Sequence, residues 1–422
     1  MKLTKLHIQN FKGFESLEVE FHLNFNIVVG INGTGKSTLL EASKIAIGSL
    51  FLELDKYKDK ISSPGITADN VRLHNLELQY PTIIQAFASI DSGLCFNKDN
   101  CSIEWQRVLE KHGGRTTKIQ AKEISKISSN LQKIIRKTEV TTGVNIPLIA
   151  YYSTDRFKKE KKDVGVTARG SRLRGYYNAM DQLTNIKFFL ELFKTETLYE
   201  LQHQVKSVQL EVVKRAVEEC IEDCAKIYYD VSYDKLLIDV KSANELIPFF
   251  SLSDGVRTTL SLVMEIAFRC YLLNPHLEFE AAKLTEGVVL IDEIDLHLHP
   301  TWQKKIVADL RRAFPNIQFI VSTHAPLVIG SLKEGAIFNI SENKLYHFQN
   351  QYGRDANAIL KEMDTEPMDD ELQKDIDNYF ILIENEKGKS QEAISLRKKL
   401  EQKLGEEHAE LQRADIMLNF FE

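Results

Sequence analysis

A glycine-rich segment, residues 30–37, places a lysine and a hydroxyl side chain at the start of a predicted helix. The segment reads Gly30-Ile-Asn32-Gly33-Thr34-Gly35-Lys36-Ser37 and is followed by Thr38. Glycines allow a backbone turn so tight that successive N–H groups converge on phosphate oxygens. The helix N-terminus adds positive potential, Lys36 can lie between the β- and γ-phosphates, and Ser37 can ligate Mg²⁺. The segment therefore predicts a site for a nucleoside triphosphate with Mg²⁺; the alternative is a chance glycine turn before a helix.

Two carboxylates follow a short apolar run at residues 287–291. The run is typical of a central strand buried on both faces, and it leads directly into Asp292 and Glu293. Ligands of α/β proteins bind beyond the carboxyl ends of the strands, so both acids are expected near the phosphates. Asp292 would join the Mg²⁺ shell, and Glu293 would orient and deprotonate the attacking water. A core strand that happens to end in two acids is the alternative.

A second candidate anion site lies at residues 252–257, directly before another helical pattern. This run is Leu252-Ser253-Asp254-Gly255-Val256-Arg257. The Ser253 hydroxyl, the Gly255 N–H and the helix N-terminus could hold an anion together. Asp254 would repel phosphate unless its carboxylate points away, for example as a helix cap. A plain helix cap is also the alternative interpretation of the whole segment.

Histidines occur in two further segments after the acids. His297 and His299 form a His-x-His pair, which can ligate a metal, but no third ligand with suitable spacing is evident. A hydrogen-bonded loop is therefore favoured there over a metal site. His324 follows an apolar run at residues 317–321 and is expected at the tip of another buried strand.

The order of these motifs resembles that of ABC-type ATPases, and the resemblance covers residues 1–50 and 147–340. It implies hydrolysis of ATP with Mg²⁺, with Glu293 as the base and His324 as the histidine that contacts the γ-phosphate. It also implies that the glycine-rich segment 30–37 is a P-loop, and that Ser253 and Gly255 reach the γ-phosphate held by the P-loop of a second copy. Two copies would then pair head to tail, as a homodimer or a higher even oligomer. Asp254 departs from the glycine or small residue usual at its position.

Within this family the chain resembles the RecF, SMC and OLD branch. The opening Ile8-Gln-Asn-Phe-Lys-Gly-Phe14 is similar to that of the branch, and so is the run at residues 292–303. Ser37 and Leu252 are 215 positions apart, which is more than a transporter nucleotide domain needs and less than an SMC coiled coil needs. Only 98 residues follow His324, too few for the nuclease domain of OLD proteins.

Four regions resemble the ATPase subunit (PtuA-like) of Septu-type anti-phage defence systems. They are the opening at 8–14, the strand with its polar end at 147–156, the run at 286–300 and the C-terminal helices. Those subunits work beside a separate HNH nuclease, sometimes with a retron. The resemblance therefore implies an ATPase that regulates a partner nuclease.

The elements around the motifs predict an α/β fold, an ABC-type ATPase head. Its expected parts are a mixed core sheet with parallel strands, an antiparallel β subdomain, a helical insertion and a C-terminal helical tail. The expected domains are a discontinuous ATPase domain at 1–350, with a variable β and helical lobe at 51–146 and a helical insertion at 175–235, and an acidic helical region at 354–422. Helical patterns are expected over 100–137 and 179–229, and a mobile loop over 156–174.

Composition and charge leave two further functions open. Residues 111–137 and 156–174 are rich in Lys and Arg, which suggests a RecF-like repair factor that binds DNA directly. The third hypothesis is a nucleotide-gated scaffold with little turnover.

The tail at 354–422 has ten basic and 18 acidic residues, so it is the candidate docking site for a partner. With no secretory pattern, no membrane-spanning run and no disulfide framework, the expected location is the cytoplasm.

Overall fold

The computed structural model describes most of the chain in thirteen ranges. They are residues 1–54, 61–91, 93–94, 102–136, 143–154, 171–180, 186–221, 224–241, 245–349, 351–363, 370–385, 387–405 and 408–420. Two compact units are formed, Met1–Arg354 and Asp355–Glu422.

Strands within these ranges are β1 (Lys2–Phe11), β2 (Phe14–Glu20), β3 (Phe25–Val29), β4 (Leu73–His74), β5 (Glu77–Leu78), β6 (Thr82–Ser89), β7 (Ser102–Leu109), β8 (Leu148–Tyr152), β9 (Cys224–Asp230), β10 (Lys235–Val240), β11 (Glu245–Pro248), β12 (Gly287–Ile291), β13 (Ile317–Ser322), β14 (Ala336–Ser341) and β15 (Lys344–His347).

Helices within the same ranges are α1 (Lys36–Ile47), α2 (Lys122–Arg136), α3 (Ile186–His203), α4 (Val208–Cys220), α5 (Asp254–Leu273), α6 (Ala281–Leu284), α7 (Pro300–Gln303), α8 (Ile306–Ala313), α9 (Pro326–Ile329), α10 (Ala356–Glu362), α11 (Asp370–Glu384), α12 (Gln391–Leu404) and α13 (Ala409–Phe420). Short 3-10 segments include Gly48–Phe51, which continues α1, and Phe249–Ser251, which precedes α5.

The core sheet of the first unit has the strand order β15-β14-β3-β13-β12-β8 in the described part of the chain. Its pairs are parallel except for the edge pair of β14 with β15. Every residue of β3, β8, β12 and β13 is buried, as expected for parallel strands covered on both faces. Because β3, β12 and β13 are parallel, the segments that follow them emerge at one edge of the sheet.

A separate antiparallel sheet has the order β2-β1-β6-β7 over the described residues. The register places Ile8 opposite Leu17 on β2 and opposite Ile84 on β6, so apolar side chains share one face. Helix α1 contacts β1, β6 and β7 of this sheet and also β12 and β13 of the core sheet. The predicted α/β class, with a mainly parallel core sheet, an antiparallel sheet and a helical tail, is confirmed.

Two of the predicted helical stretches are partly wrong. In the stretch 100–137, Ser102–Leu109 forms strand β7, and only Lys122–Arg136 is helical. In the stretch 179–229, helices α3 and α4 are present, but Cys224–Asp230 is strand β9. Both strands adjoin segments with clear helical periodicity, and the predicted helices were extended across them. The loop predicted at 156–174 falls mostly outside the described residues.

The second unit consists of helices α10 to α13. A small core of its own is formed by Ile376, Tyr379, Ile383, Ala393, Leu400, Leu411 and Ala414. The acidic side chains of this region therefore lie on helices that bury one apolar face.

Among the helices in the described ranges, none has both the length and the hydrophobicity needed to cross a lipid bilayer.

Candidate functional site

One cavity of about 180 Å³ brings three of the predicted motifs together. It is lined by Asn32, Gly33, Gly35, Lys36, Ser37, Thr38, Asp292, Glu293 and His324. These residues come from the loop after β3, the start of α1 and the ends of β12 and β13. Parallel strand order explains the convergence, because the carboxyl ends of parallel strands meet at one edge.

The glycine-rich loop packs against the start of strand β2. Gly35 has a φ of +108°, which favours glycine, and a Cβ atom there would lie 2.6 Å from the Phe14 ring. Phe14 is fully buried at the start of β2. Its ring therefore supports the turn into α1. The first residues of α1 line the cavity, and their backbone N–H groups have no acceptor within the helix.

Lys36 lies at this cavity with a largely buried side chain. Its ammonium donates hydrogen bonds of 2.9 Å to the carbonyl oxygens of Gly30 and Ile31. Burial lowers the pKa of Lys36, while the nearby Asp292 and Glu293 carboxylates act in the opposite direction. A phosphate group would supply a counter-charge for this ammonium at close range.

Ser322, the last residue of β13, links the two acids that follow β12, the predicted Mg²⁺ ligand Asp292 and the predicted base Glu293. Its hydroxyl donates to Asp292 Oδ1 over 2.5 Å and accepts a hydrogen bond of 2.8 Å from the Glu293 backbone N–H. Ser322 and Asp292 are both buried. One side chain therefore fixes the carboxylate of the first acid and the backbone of the second.

The backbone at Glu293 leaves the strand conformation abruptly. Its φ is +49°, a left-handed value that costs a residue with a Cβ about 1 kcal/mol or more. The turn ends β12 and leaves the Glu293 side chain on the cavity wall. Backbone strain of this kind is common at functional sites, and here the Ser322 hydroxyl helps to hold it.

The residues that follow Ser322 are held by a short hydrogen-bond network around Thr323. Thr323 Oγ1 donates to Asp295 Oδ1 over 2.5 Å and accepts a hydrogen bond from the Ala325 N–H. His324 lies between these contacts and lines the cavity. Desolvation and the Lys36 charge lower the pKa of His324, which favours the neutral imidazole at pH 7. A neutral imidazole can donate one hydrogen bond to a phosphate oxygen.

The cavity contains the donor set that Mg²⁺ prefers. The exposed Ser37 side chain and the buried Asp292 carboxylate both line it, and Mg²⁺ binds hard oxygen ligands together with phosphate and water oxygens. These two residues fit the ion, which would neutralise phosphate charge when bound.

Ser253 and Gly255 lie outside this cavity. Ser253 occupies the N-cap position of the 20-residue helix α5, is exposed, and makes no capping hydrogen bond with its side chain. Gly255 is buried, and a Cβ atom there would lie 2.2 Å from the His297 carbonyl oxygen, so this position tolerates only glycine. Asp254 does not cap the helix, because its carboxylate pairs with Arg257 at 2.5 Å. That ion pair reduces the repulsion that Asp254 would exert on an anion.

The His-x-His segment makes local contacts. His299 is the N-cap of α7 and accepts a hydrogen bond from the Thr301 N–H through Nδ1. His297 is exposed, with a φ of +64°. No group of three or more His, Cys, Asp or Glu residues that could hold a metal occurs within the described ranges.

Sequence reasoning missed Phe14, Ser322 and Thr323 as parts of the site. Ser322 and Thr323 directly precede His324, so their position in the sequence was a usable signal. Their partners, however, depend on the register of β13 against β12, in which Ile291 lies opposite Val321. Phe14 belongs to the opening motif, but its contact with Gly35 appears only in the folded chain.

Replacing Ser322 with alanine is expected to lower kcat for nucleotide hydrolysis by about 10- to 100-fold, as for other residues that orient catalytic groups. The change leaves Asp292 Oδ1 and the Glu293 N–H without this partner, while the phosphate-binding loop is untouched. Steady-state kinetics should therefore show a loss in kcat larger than the change in KM.

The matched control for Ser322→Ala is Ser43→Ala. Ser43 is also fully buried, but its hydroxyl donates to the Leu39 carbonyl within α1. If the two variants turn over at the same rate, the backbone alone positions the acids and Ser322 has no special role.

Comparisons with protein families match most of the chain. A family model described as "AAA domain" matches residues 5–225. A second model, described as "AAA domain, putative AbiEii toxin, Type IV TA system", matches residues 127–330.

Among the curated relatives that match over most of this chain are a retron ATPase and a Septu protein. The "Retron Vc95 probable ATPase" of Vibrio cholerae serotype O1 biovar El Tor is 26% identical over 86% of this chain and 79% of its own length. The "Septu protein PtuA" of Bacillus mycoides strain KBAB4 is 25% identical over 91% of this chain and 48% of its own length. The chain thus spans about half of that PtuA.

Among solved structures, an SMC head bound to the C-winged helix domain of ScpA aligns with a TM-score of 0.49 and 14% identity. The alignment covers 82% of this chain and 98% of that chain.

Proposed function

This chain belongs to the AAA domain family and is an ATPase, and we propose that two copies close head to tail around ATP and thereby regulate a partner nuclease in anti-phage defence. In this proposal each ATP is held by the P-loop of one copy and by Ser253 of the other. ATP binding favours the closed pair, and hydrolysis or nucleotide loss reopens it.

The main support for the proposed pairing of two copies is the position of Ser253. The P-loop cavity already contains a lysine, two hydroxyls, two acids and a histidine from its own chain. Ser253 lies outside it, exposed at the start of a long helix, with no capping bond from its hydroxyl. A helix N-terminus with a free hydroxyl is suited to an anion, and the triphosphate of a second copy would provide one.

Each residue of the cavity has a proposed role in hydrolysis. Lys36 and the N–H groups at the start of α1 bind the phosphates, and His324 donates a hydrogen bond to the γ-phosphate. Ser37 and Asp292 would hold Mg²⁺. Glu293 orients the attacking water and accepts its proton, so the new P–O bond forms as the β–γ bond breaks.

The defence role and the nuclease partner rest on the named relatives. One relative is called a retron probable ATPase, and another is called a Septu protein. We extend that setting to this chain, with an HNH-type nuclease as the partner and the acidic unit Asp355–Glu422 as its docking site. Ile381, Ile394 and Ile416 are exposed on three helices of this unit and offer apolar contacts.

A mass measurement in solution tests the pairing. ATP with Mg²⁺ is expected to raise the molar mass of the purified chain, measured by analytical ultracentrifugation, roughly two-fold. ADP should leave the mass unchanged, because closure needs the γ-phosphate. Lys36→Ala is the control, since it should stay in the nucleotide-free state at every ATP concentration. The same mass with and without ATP in the wild-type protein would refute the proposed closure.

The nuclease proposal is tested in the same samples. An HNH nuclease encoded beside this chain is expected to co-sediment with the full chain. The rate at which this nuclease cleaves DNA should differ between samples with ATP and samples with ADP. A chain that ends at residue 350 should still pair with ATP but lose the nuclease. Equal nuclease binding by both lengths would exclude the C-terminal unit as the docking site.

A further inference from the structure

A buried arginine lies in the antiparallel sheet, away from the residues of the nucleotide cavity. Arg107 on β7 is only 3% exposed. Its Nη1 atom donates to the hydroxyl oxygens of Ser49 and Ser63, at 3.1 and 3.2 Å. Its Nε atom is buried and has no hydrogen-bond acceptor. No carboxylate of the described residues forms an ion pair with it.

The charge of Arg107 is therefore poorly compensated by the protein. Burial lowers the pKa of Arg107 to about 10, which still leaves the guanidinium charged at neutral pH. An unpaired buried charge costs several kcal/mol, so such groups are normally paired or hydrogen-bonded in full. The two serine hydroxyls satisfy Nη1 but leave Nε open.

A cavity of about 200 Å³ opens beside this guanidinium. It is lined by Phe51, Leu52, Ile61, Ser62, Ser63, Arg107 and Lys118. Lys118 is at its exposed side, with a side chain that is 60% accessible and only a 3.9 Å contact to Glu53. The polar lining thus consists of two cations and two hydroxyls, which are all groups able to donate to an oxyanion.

We propose that this cavity, the Arg107 site, binds the phosphate group of a small molecule. The guanidinium offers Nε in a planar donor array that matches phosphate oxygens, and Lys118 adds a second positive charge. The hydroxyls of Ser62 and Ser63 can donate to the remaining oxygens. The bound phosphate would provide the counter-charge that the protein does not supply.

The Arg107 site is separate from the P-loop and does not rest on ATP-dependent pairing. Helix α1 begins at the P-loop and continues into Gly48–Phe51, which contributes Phe51 to the Arg107 site and Ser49 to its arginine. A 12-residue helix is about 18 Å long, so the two sites lie at opposite ends of one rigid element. Trp105 on β7 also donates a hydrogen bond to the Ala46 carbonyl near that end.

A structural role for Arg107 is the competing explanation. Ser49 also donates to the Ile45 carbonyl, so Arg107 could simply stabilise the negative C-terminal end of α1. That role predicts no phosphate dependence, whereas the proposed site predicts saturable binding that needs both Arg107 and Lys118.

The test uses the full chain with Lys36→Ala, which removes phosphate binding at the P-loop. Inorganic phosphate, compared with chloride at equal ionic strength, is expected to raise the melting temperature of this variant in a saturable manner. Adding Lys118→Ala should weaken phosphate affinity about tenfold, as expected for the loss of one charge-assisted hydrogen bond. Adding Arg107→Met should abolish the effect. Lys126→Ala on α2 is the matched control, because Lys126 is exposed and does not line the cavity.

Absence of phosphate-specific stabilisation in the Lys36→Ala protein would overturn the proposal, as would unchanged affinity in Lys118→Ala. If Arg107→Met does not fold, Ser63→Ala takes its place, and an affinity equal to that of the Lys36→Ala parent would count against the site. Titration with ribose 5-phosphate then distinguishes the two sources, because tighter binding than inorganic phosphate identifies a sugar phosphate and weaker binding identifies the free anion.

Discussion

Glu293→Gln is expected to lower kcat for ATP hydrolysis by about 10²- to 10⁴-fold, the usual contribution of a general base, while ATP binding is retained. The amide has nearly the same shape as the carboxylate, so the turn at φ +49° and the hydrogen bond from the Glu293 N–H to Ser322 can persist. It cannot accept a proton from water, however. ATP should therefore remain uncleaved, and the closed pair should accumulate.

Glu342→Gln is a closely matched control for this prediction. Glu342 also has a φ of +49°, but it is exposed on the turn between β14 and β15. The change removes one charge in the same backbone conformation, away from the cavity. Phosphate release and equilibrium ATP binding should be measured for both variants. Wild-type turnover in Glu293→Gln would exclude this residue as the base.

The parts of the site that could be predicted from the sequence are those in which the residues follow one another directly along the chain. Strand β3, the glycine loop and α1 follow one another directly, and so do β12, Asp292 and Glu293. Apolar runs that end in glycine or acid define such units without any knowledge of tertiary contacts. The parallel arrangement of these strands then places the loop, the acids and His324 around one cavity, as the order of the motifs indicates.

Contacts across strands could not be predicted in the same way. The bond from Ser322 to Asp292 requires β13 to lie beside β12 in a fixed register, and no local pattern encodes that register. The support of Gly35 by Phe14 joins two sheets through the packing of α1. Strand β7 was missed because its buried position 107 holds an arginine, which breaks the alternation of apolar and polar residues expected of a strand.

Ser253→Arg is expected to lower ATP hydrolysis by about 10²- to 10³-fold, the size of effect seen when a donor to a developing charge is lost. The change also removes the contact of Ser253 with the γ-phosphate held by the second copy, so ATP should no longer raise the mass of this variant in sedimentation. ATP binding to the isolated P-loop should persist, because Ser253 does not line that cavity. Ser232→Arg is the control for adding a cation, since Ser232 is exposed on the turn after β9.

Mixing two inactive variants separates a site shared between copies from a site within one copy. In a mixed pair of Ser253→Arg with Lys36→Ala, the intact P-loop of the first chain faces the intact Ser253 of the second. One of the two composite sites is then complete, whereas neither homodimer contains a complete site. Random exchange should restore about one quarter of wild-type ATPase activity, because half of the pairs are mixed and each has one working site.

A mixture that stays as inactive as its two components would have one of two causes. Either Ser253 acts within its own chain, or turnover requires two complete sites at once. ATP-dependent mass distinguishes these two cases, since only a shared site allows the mixed pair to close.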